Sequence, residues 1–575
     1  MRVLAGKILY GILFVAVIPC LLILWAKQTG EIIKLPVLEE TWPGYILTVS
    51  GFVLILTGML NLWFLGKGLP MNAFPPEKLV TRGIYAFTKH PIYAGAVLVT
   101  FGLSVITKSS SGLWLVSPFF ILMVAAYVTG FENERTAKIS GEQNYNTFLS
   151  LPAKDTESPS IKERISAYLL VFVPWLIAYE AWTVSGASGD VTATRLPFGE
   201  NLTIREISNA FYVVMLIIAL SVPVILKVRA VLRSFISSMW SAVIIAGLIS
   251  LAFPAAMSSF NLVWAFMIVI YFATGLKFNK WIWDITRIEA EKLANSWREW
   301  RWGPVRIINH GFYGGAAGLA GMMIAGIFLG PRYSFIGFAV MLFVIIGAGL
   351  WAQIIEGSPK LLRPYGYYGG LTGGMIACII ASLVFPINFF ILVASFAMAA
   401  PWIQAIGRLR CLVQGCCHGK PSDSEIGICF THPLSRVNKI SGLNGVALHP
   451  TQIYSIICNI VTGIVLIRLY SVGMPAVFIT GIYLIMNGLG RFVEESLRGE
   501  VQTPYFAGMR IYQWIAIINI ILGAICTAIQ DTNRIIFQFN VESVFLAGIM
   551  GILVMIASGV DFPASNRRFA RLTSN

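Results

Sequence analysis

Apolar runs long enough to cross a bilayer recur along the whole chain, and they limit the possible folds more than any other feature. A transmembrane helix needs roughly 17 to 25 mostly apolar residues. Only 12% of the 575 residues are charged, against about 25% in soluble proteins, so a water-soluble enzyme is excluded. We predict about 16 spans, at residues 8–25, 45–66, 91–106, 113–130, 165–185, 207–226, 236–253, 258–275, 311–329, 334–355, 367–385, 387–405, 451–470, 475–490, 511–529 and 541–559.

The lipid environment also decides the fold class of these spans. Backbone polar groups find no partners in lipid, so each span is expected to be an α-helix. The prediction is an all-α, polytopic integral membrane protein.

Basic residues indicate how the chain is oriented. The 42 Lys and Arg exceed the 27 Asp and Glu, which gives a net charge of +15. In a membrane protein this excess points to basic cytoplasmic loops and anionic lipid headgroups rather than to nucleic acid. If all predicted spans cross, most Lys and Arg face one side, which is then cytoplasmic. If one span between residues 165 and 275 does not cross, the C-terminal region is inverted.

The loops divide the chain into three predicted regions. Residues 1–160 end in a charged linker at 154–164, and residues 165–280 hold four spans of unknown role. Residues 281–575 form the third region, which begins with a Trp-rich stretch. We expect residues 290–310 of that stretch to form an interfacial helix, with Trp and Arg side chains at headgroup depth.

A basic cluster and a carboxylate cluster lie on either side of two N-terminal spans. Lys89 and His90 directly precede Pro91, which suits the first turn of a helix, and Glu132 and Glu134 follow the next span. Two spans separate the clusters, so we expect them on the same membrane face. The simplest interpretation is that these charges only anchor helices at the interface.

The N-terminal segments resemble the isoprenylcysteine carboxyl methyltransferase and phospholipid methyltransferase superfamily. The matching positions are Gly83, Tyr85, Lys89, His90, Pro91, Tyr93 and Gly95, then Glu132, Gly141 and Tyr145. The resemblance implies an S-adenosylmethionine pocket that is lined by Lys89, His90, Tyr93, Glu132 and Glu134, with a lipid acceptor entering from the bilayer. A degenerate methyltransferase domain is the alternative.

Arginines gather at the ends of several C-terminal spans. Arg408 and Arg410 follow one predicted span, and Arg491 and Arg498 follow another, with two spans between the pairs. An even number of crossings brings both pairs to one face, and the same reasoning brings His310, Tyr313 and Tyr368 there. Guanidinium groups bind phosphate through a planar fork, so the pattern suits a phospholipid headgroup. Anchoring by snorkelling side chains is the alternative.

The C-terminal segments resemble prolipoprotein diacylglyceryl transferase over about residues 305–560. The motifs lie at residues 407–422, at His449, Pro450, Gln452 and Tyr454, at residues 487–498, and at Gln513 and Trp514. The resemblance implies that Arg408, Arg491 and Glu495 hold a phosphoglycerol head, and that Arg410, His449, Gln452, Arg498 and Tyr313 contact the substrate. Tyr368 stands where the family has the His that assists proton transfer, so His310 or His418 is a candidate to replace it, and Tyr368 is also kept as a catalytic candidate. The family's Asn and Glu are replaced by Cys411 and Cys416.

Six possible metal ligands or nucleophiles lie close together in the sequence: Cys411, Cys416, Cys417, His418, Cys429 and His432. Adjacent cysteines usually point apart, and the spacing lacks the paired ligands of common zinc sites. We therefore predict no metal. We interpret the cysteines as part of a structural turn, and a catalytic thiol or a redox pair is the alternative.

These patterns together predict a bifunctional lipid-modifying enzyme of the bacterial cytoplasmic (inner) membrane. One part transfers a diacylglyceryl or related group from an anionic, phosphatidylglycerol-like phospholipid to a lipid or lipoprotein acceptor. The other part uses S-adenosylmethionine to methylate a lipid or membrane-embedded acceptor. The alternatives are a lipid-binding or transport protein with vestigial sites and a phosphatase-like enzyme that exchanges headgroups. The oligomeric state is left open.

Overall fold

The protein is mostly helical where its structure is described. The computed structural model describes residues 2–33, 37, 40–68, 79–132, 280–357, 359, 361–471, 473–500 and 503–573. Ten helices among them are long and apolar enough to cross a membrane, and Pro91–Ile106 and Thr451–Ile467 are shorter apolar helices. These helices confirm the all-α, polytopic fold class.

The described helices coincide with the predicted spans outside residues 165–275. The four spans predicted between residues 165 and 275 lie outside the described residues, so the count of 16 stays a prediction. Two helices run further than predicted, because the sequence-based ends were placed before the arginines. They extend to Gln414 and Leu497, and the ion pairs described below compensate the charges that they carry into the protein.

Two compact units, Met1–Trp283 and Asp284–Asn575, make up the chain. The predicted division into three regions stays a prediction, since the second region is outside the described part. The first unit contains α1 (Arg2–Ile12), α2 (Ile18–Thr29), α3 (Trp42–Gly66), α4 (Ile84–Phe87), α5 (Pro91–Ile106) and α6 (Ser117–Tyr127), with π-helical turns at Leu13–Val17, Gly112–Val116 and Val128–Glu132.

Glycines let α3 and α5 pack backbone to backbone. A Cβ on Gly51 would stand 2.6 Å from the carbonyl oxygen of Gly95, and a Cβ on Gly44 would stand 2.8 Å from that of Gly102. The seven-residue spacing repeats the contact along one face of each helix. This packing fixes the start of α5, where the predicted cofactor residues lie.

The second unit is a helical bundle with short strands in its loops. Its helices are α7 (Lys280–Ala294), α8 (His310–Leu329), α9 (Ser334–Glu356), α10 (Tyr367–Val384), α11 (Phe389–Gln414), α12 (Thr451–Ser471), α13 (Ala476–Leu497), α14 (Ile511–Ala528) and α15 (Val541–Gly559). Its strands are β1 (Glu299–Trp302), β2 (Val305–Ile308), β3 (Ile428–Cys429), β4 (Ala447–Leu448), β5 (Tyr505–Phe506), β6 (Met509–Arg510) and β7 (Val560–Asp561). The sheets are β1-β2-β7, β3-β4 and β5-β6, and all pairs are antiparallel.

Helix α13 lies at the centre of this bundle. It packs against α11, α12 and α14, and almost its whole length is buried. A side chain at its C-terminal end therefore meets α11 and α12 rather than lipid, and this position makes a shared site possible.

The prediction of an interfacial helix over residues 290–310 was wrong. Helix α7 ends at Ala294, and β1 and β2 then form a hairpin in which Trp302 pairs with Val305. Gly303, with φ of 58°, and Pro304 form the turn, and this Gly-Pro pair cannot continue a helix. The hairpin still exposes Trp302 on the surface.

The glycine-rich helices of the second unit pack closely. A Cβ on Gly311 would stand 2.5 Å from the Cα of Gly559, which brings α8 against α15. In the same way, a Cβ on Gly373 would stand 2.5 Å from the carbonyl oxygen of Phe343, between α10 and α9. These glycines serve helix contacts within the second unit.

Candidate functional site

One buried carboxylate, that of Glu494 near the end of α13, gathers three arginines. Its Oε1 atom is 2.7 Å from Nη2 of Arg408 and 2.9 Å from Nη2 of Arg498, and its Oε2 atom is 3.2 Å from Nη1 of Arg491. All four side chains are nearly inaccessible to solvent. Residues far apart in sequence thus meet at one point, and the set is called the Glu494 cluster below.

Helical spacing explains how the cluster forms. Arg491 precedes Glu494 by three residues and Arg498 follows it by four, so all three lie on one face of α13 and its end. Arg408 comes from α11, where its Nε atom also donates to the hydroxyl of Ser455 on α12, at 3.0 Å. Three helices therefore fix the cluster.

Tyrosines line the cluster on the side of α10. The guanidinium of Arg491 lies over the ring of Tyr367, 4.5 Å from its centroid, which suits a cation–π contact. The hydroxyls of Tyr367 and Tyr483 are 2.8 Å apart, and Gln404 donates to Tyr483 at 3.2 Å. Tyr368 donates instead to the backbone carbonyl of Tyr512, at 3.2 Å.

A second row of charges extends beyond Arg498. Its Nε atom is 3.2 Å from Oε1 of Glu495, and its Nη1 atom is 3.8 Å from Oε2 of Glu500. Arg510 donates to the backbone carbonyls of Arg498, at 2.8 Å, and Glu500, at 3.0 Å. Glu495 thus joins the site through Arg498.

The structure brings together some of the predicted site residues and not others. Arg408, Arg491 and Arg498 meet directly, and Glu495 is one contact away. Glu494 was not among the predicted site residues, although its spacing from Arg491 and Arg498 is a signal that the sequence contains. The number of crossings also placed Tyr367 on the face of the arginines, whereas Ser455 was missed, because a cross-helix partner leaves no local signal.

Arg410 lies away from the Glu494 cluster. Residues two positions apart on a helix point in nearly opposite directions, so Arg410 leaves α11 on another face than Arg408. Its guanidinium lies 5.6 Å from the ring centroid of Tyr365, and its Cδ atom faces Gly314 of α8. Tyr313 is half-buried and makes no hydrogen bond or ion pair with any arginine in the described structure.

His310 is buried in a separate aromatic environment. Its ring lies edge-on to Trp297, at a centroid distance of 5.1 Å, and Trp297 stacks on His432 at 5.9 Å. Neither nitrogen of His310 has a hydrogen-bond partner among the described residues. Burial lowers the pKa of His432, and the nearby Glu299 opposes this effect. The expected role of His310 in proton transfer at the Glu494 cluster has no supporting contact.

Residues of the His-Pro-x-Gln-x-Tyr motif hold the loop after α11. Gln452 donates to the backbone carbonyl of Cys416 at 2.8 Å, and Thr451 donates to that of Cys417 at 2.5 Å. Nδ1 of His449 and the hydroxyl of Tyr454 are 3.2 Å apart. The contacts of Gln452 support the loop, and its predicted contact with substrate stays a prediction.

The expectation that adjacent cysteines point apart was wrong. The thiols of Cys411, Cys416 and Cys417 all lie within 4.8 Å of one another. Cys417 has a φ of 59° and Gly415 a φ of 73°, so the chain turns sharply after α11 and returns both thiols to Cys411. Hydrogen bonds with Cys411 and Cys417 raise the pKa of the Cys416 thiol.

The N-terminal unit holds a smaller polar site at the start of α5. Nδ1 of His90 is 3.6 Å from Oε1 of Glu132, and Tyr93 hydrogen-bonds the same carboxylate. The rings of His90 and Tyr93 are 6.0 Å apart. Lys89, which precedes His90 in the sequence, is half-buried. Glu134 lies outside the described residues. The structure therefore brings together His90, Tyr93 and Glu132.

Two family models match separate parts of the chain. Residues 364–529 match the model described as Prolipoprotein diacylglyceryl transferase. Residues 40–143 match the model described as Phospholipid methyltransferase. The first match contains the Glu494 cluster, and the second contains His90, Tyr93 and Glu132.

Curated relatives resemble the C-terminal part. Phosphatidylglycerol--prolipoprotein diacylglyceryl transferase of Clostridium tetani is 29% identical over 193 residues, which cover 32% of this chain and 68% of the relative. A second such enzyme, from Clostridium perfringens, is 29% identical and covers 26% and 58%. The enzyme of Oceanobacillus iheyensis is 32% identical and covers 28% and 55%. The chain thus spans between 55% and 68% of the length of these relatives.

Proposed function

Because this membrane protein joins a region of the phospholipid methyltransferase family to a region of the prolipoprotein diacylglyceryl transferase family, we propose that it is a bifunctional lipid-modifying transferase. The C-terminal part transfers a diacylglyceryl or related group from an anionic, phosphatidylglycerol-like phospholipid to a lipid or lipoprotein acceptor. The N-terminal part methylates a lipid or membrane-embedded acceptor. We place both activities in the bacterial cytoplasmic membrane. The observation that carries the proposal is the meeting of three arginines at Glu494.

The charge balance of the Glu494 cluster supports an anionic ligand. Arg408, Arg491, Arg498 and Arg510 stand against three carboxylates, those of Glu494, Glu495 and Glu500, which leaves an excess of one positive charge in a largely buried place. An arginine at bilayer depth costs roughly 2.5–3.5 kcal/mol on insertion scales unless it has a partner. The Nε atom of Arg491 is buried and has no hydrogen-bond partner among the described residues. A lipid phosphate supplies both the charge and the acceptor oxygens.

The proposed reaction breaks the bond between the carbon of the diacylglyceryl group and the oxygen that joins it to phosphorus. The acceptor's nucleophile attacks this carbon, and the bonding electron pair leaves with the glycerol phosphate. Arg408 and Arg491 lower the barrier by stabilising the charge that develops on the leaving phosphate. We assign Glu495 to take the acceptor's proton, because its Oε2 atom is buried without a hydrogen-bond partner in the described part.

Tyrosines position the arginines in this proposal. Tyr367 holds the Arg491 guanidinium through its ring, and the Tyr483 hydroxyl, to which Gln404 donates, holds the Tyr367 hydroxyl. Tyr368 is bonded to the backbone of Tyr512, so we assign it a positioning role in place of proton transfer. Preorganised donors stabilise a transition state without reorganising during the reaction.

The donor assay uses phosphatidylglycerol labelled in its glycerol headgroup, together with a prolipoprotein acceptor and the full chain in lipid nanodiscs. We expect release of labelled glycerol phosphate, and we expect Arg491→Lys and Arg408→Lys each to reduce it by roughly 10²-fold or more, as for lost transition-state donors. Arg301→Gln is the control, because Arg301 forms an exposed pair with Glu299 and should keep full activity. Headgroup release that survives Arg491→Lys would overturn the transferase assignment.

The N-terminal residues fit S-adenosylmethionine by their chemistry. The Glu132 carboxylate suits an ammonium group, and the rings of Tyr93 and Tyr127, 6.2 Å apart, suit a sulfonium cation through cation–π contacts. The bound cofactor would supply the methyl group. His90 is paired with Glu132 and orients that carboxylate in the proposal.

The methylation assay adds radiolabelled S-adenosylmethionine to membranes that contain the protein. We expect label in the lipid or protein fraction, and its loss with Glu132→Gln or His90→Ala. Lys108→Gln, at an exposed position of the same unit, should leave labelling unchanged. Wild-type membranes without labelled product would instead favour a lipid-binding protein with a vestigial site.

A further inference from the structure

The three thiols after α11 form a cluster that the proposed transfer reaction does not use. Cys411 is in the last turn of α11, Cys416 is buried in the following turn, and Cys417 is half-buried. The αL conformation of Cys417 is uncommon for a non-glycine residue and costs of the order of 1 kcal/mol or more. Here it directs the Cys417 thiol back toward the other two.

Several contacts hold this strained turn in place. The backbone N–H of Cys417 donates to Glu500 at 2.6 Å, and its carbonyl accepts from Thr451 at 2.5 Å. The carbonyl of Cys416 accepts from Gln452 at 2.8 Å. The backbone around the thiols is thus fixed by side chains from other segments, which is the arrangement expected of a preorganised ligand set.

We propose that Cys411, Cys416 and Cys417 bind one thiophilic d¹⁰ cation, Zn²⁺ or Cu⁺, through three sulfur atoms. Zinc–sulfur bonds of about 2.3 Å place the sulfurs about 3.8 to 4.0 Å apart, and the thiols already lie within 4.8 Å of one another. Small side-chain rotations would close the site. Soft thiolate ligands select these cations over Mg²⁺ or Ca²⁺.

The surroundings of the cluster suit this ligand set. Cys417 interacts electrostatically with Arg408 and Arg498, so cationic side chains adjoin the net negative charge of three thiolates and one cation. His418 does not complete the set, because its Nδ1 and Nε2 atoms are 3.0 Å and 2.9 Å from the carbonyl oxygen of Gly419 and the hydroxyl of Ser441. The fourth position is therefore left for water or an exogenous ligand, as in open zinc sites.

The test measures metal binding by the full chain, purified in detergent with a reductant and stripped with a chelator. We expect it to bind about one Zn²⁺ or Cu⁺ per chain, and Co²⁺ to give thiolate-to-metal charge-transfer absorption if the site accepts Zn²⁺. Competition with a chromogenic Cu⁺ chelator identifies a copper site. Cys411→Ser and Cys416→Ser should each lower the affinity by at least tenfold. Cys378→Ala is the control, since Cys378 is buried in an apolar cluster on α10.

A second measurement needs no variant and compares thiols within one folded chain. Bound Zn²⁺ or Cu⁺ should slow the alkylation of Cys411 and Cys417 by at least tenfold, and leave the rate at half-buried Cys526 unchanged. The proposal is overturned if no cation binds, if Cys411→Ser binds it as tightly as wild type, or if alkylation is not slowed. A disulfide between two of the three thiols in the reduced preparation would also overturn it.

Discussion

Replacing Glu494 with Gln tests how the arginines are held together. The amide has nearly the same shape, but it removes the charge that faces Arg408, Arg498 and Arg491 at 2.7, 2.9 and 3.2 Å. Removing one partner of a buried ion pair costs about 3–5 kcal/mol, because the remaining charge is left uncompensated. At roughly 2 °C per kcal/mol for a unit of this size, thermal unfolding in detergent should begin about 6–10 °C lower.

An exposed ion pair with the same N···O distance as the Arg408–Glu494 pair provides the control. Lys292 and Glu289 are also 2.7 Å apart, but their side chains are 66% and 63% exposed. Such a pair contributes about 0–1 kcal/mol, so Glu289→Gln should shift Tm by about 2 °C at most. If the Tm of the Glu494→Gln variant lies within that margin of the wild-type Tm, the argument that Glu494 balances the buried arginines is wrong. Adding Arg498→Gln to Glu494→Gln should recover part of the loss, and the non-additive term would measure the coupling.

Three further substitutions test packing and polar contacts through thermal unfolding. Gly51→Ala should destabilise the first unit by about 1–3 kcal/mol, because the new Cβ would meet a backbone carbonyl at 2.6 Å; an unchanged Tm would contradict the close helix contact. Arg306→Gln should lower the free energy of unfolding by about 3–5 kcal/mol, because the buried Asp561 carboxylate, bonded to Arg306 at 2.7 and 2.8 Å, loses its cationic partner. A loss below about 1 kcal/mol is typical of a solvent-exposed pair and would contradict the burial of this one. Ser455→Ala removes a hydrogen bond to Arg408 at 3.0 Å and should lower the free energy of unfolding by about 1.5–3 kcal/mol. An unaltered unfolding curve would contradict this prediction.

The helices could be predicted because lipid leaves the backbone few choices. Long apolar runs located the described spans to within several residues. The arginine-bearing helix ends were placed too early, since hydropathy alone ends a span at its first charge. Helix α13 continues to Leu497 because Arg491 and Arg498 bring their counter-charge, Glu494, on the same helical face.

The hairpin β1-β2 and the thiol cluster show where local patterns fail. Trp and Arg residues around position 300 suited an interfacial helix, but the Gly303-Pro304 turn favours a hairpin, and pairing of Arg306 with the distant Asp561 stabilises it. Cys417 adopts a conformation that its own residue type disfavours. Contacts from Thr451 and Glu500 impose it, so no local reading of the sequence contains that information.

Counting membrane crossings brings side chains to one face, but helical phase decides which of them share a ligand. Arg408 and Arg410 emerge at the same depth of α11, yet one meets Glu494 and the other meets Tyr365. Arg491 on α13 and Arg498 directly after its end are seven residues apart and therefore lie on the same side. The Glu494 cluster is thus built from residues in phase on α13 and its end plus one partner from α11. A substitution at Arg410 should accordingly affect packing near α8 more than donor binding.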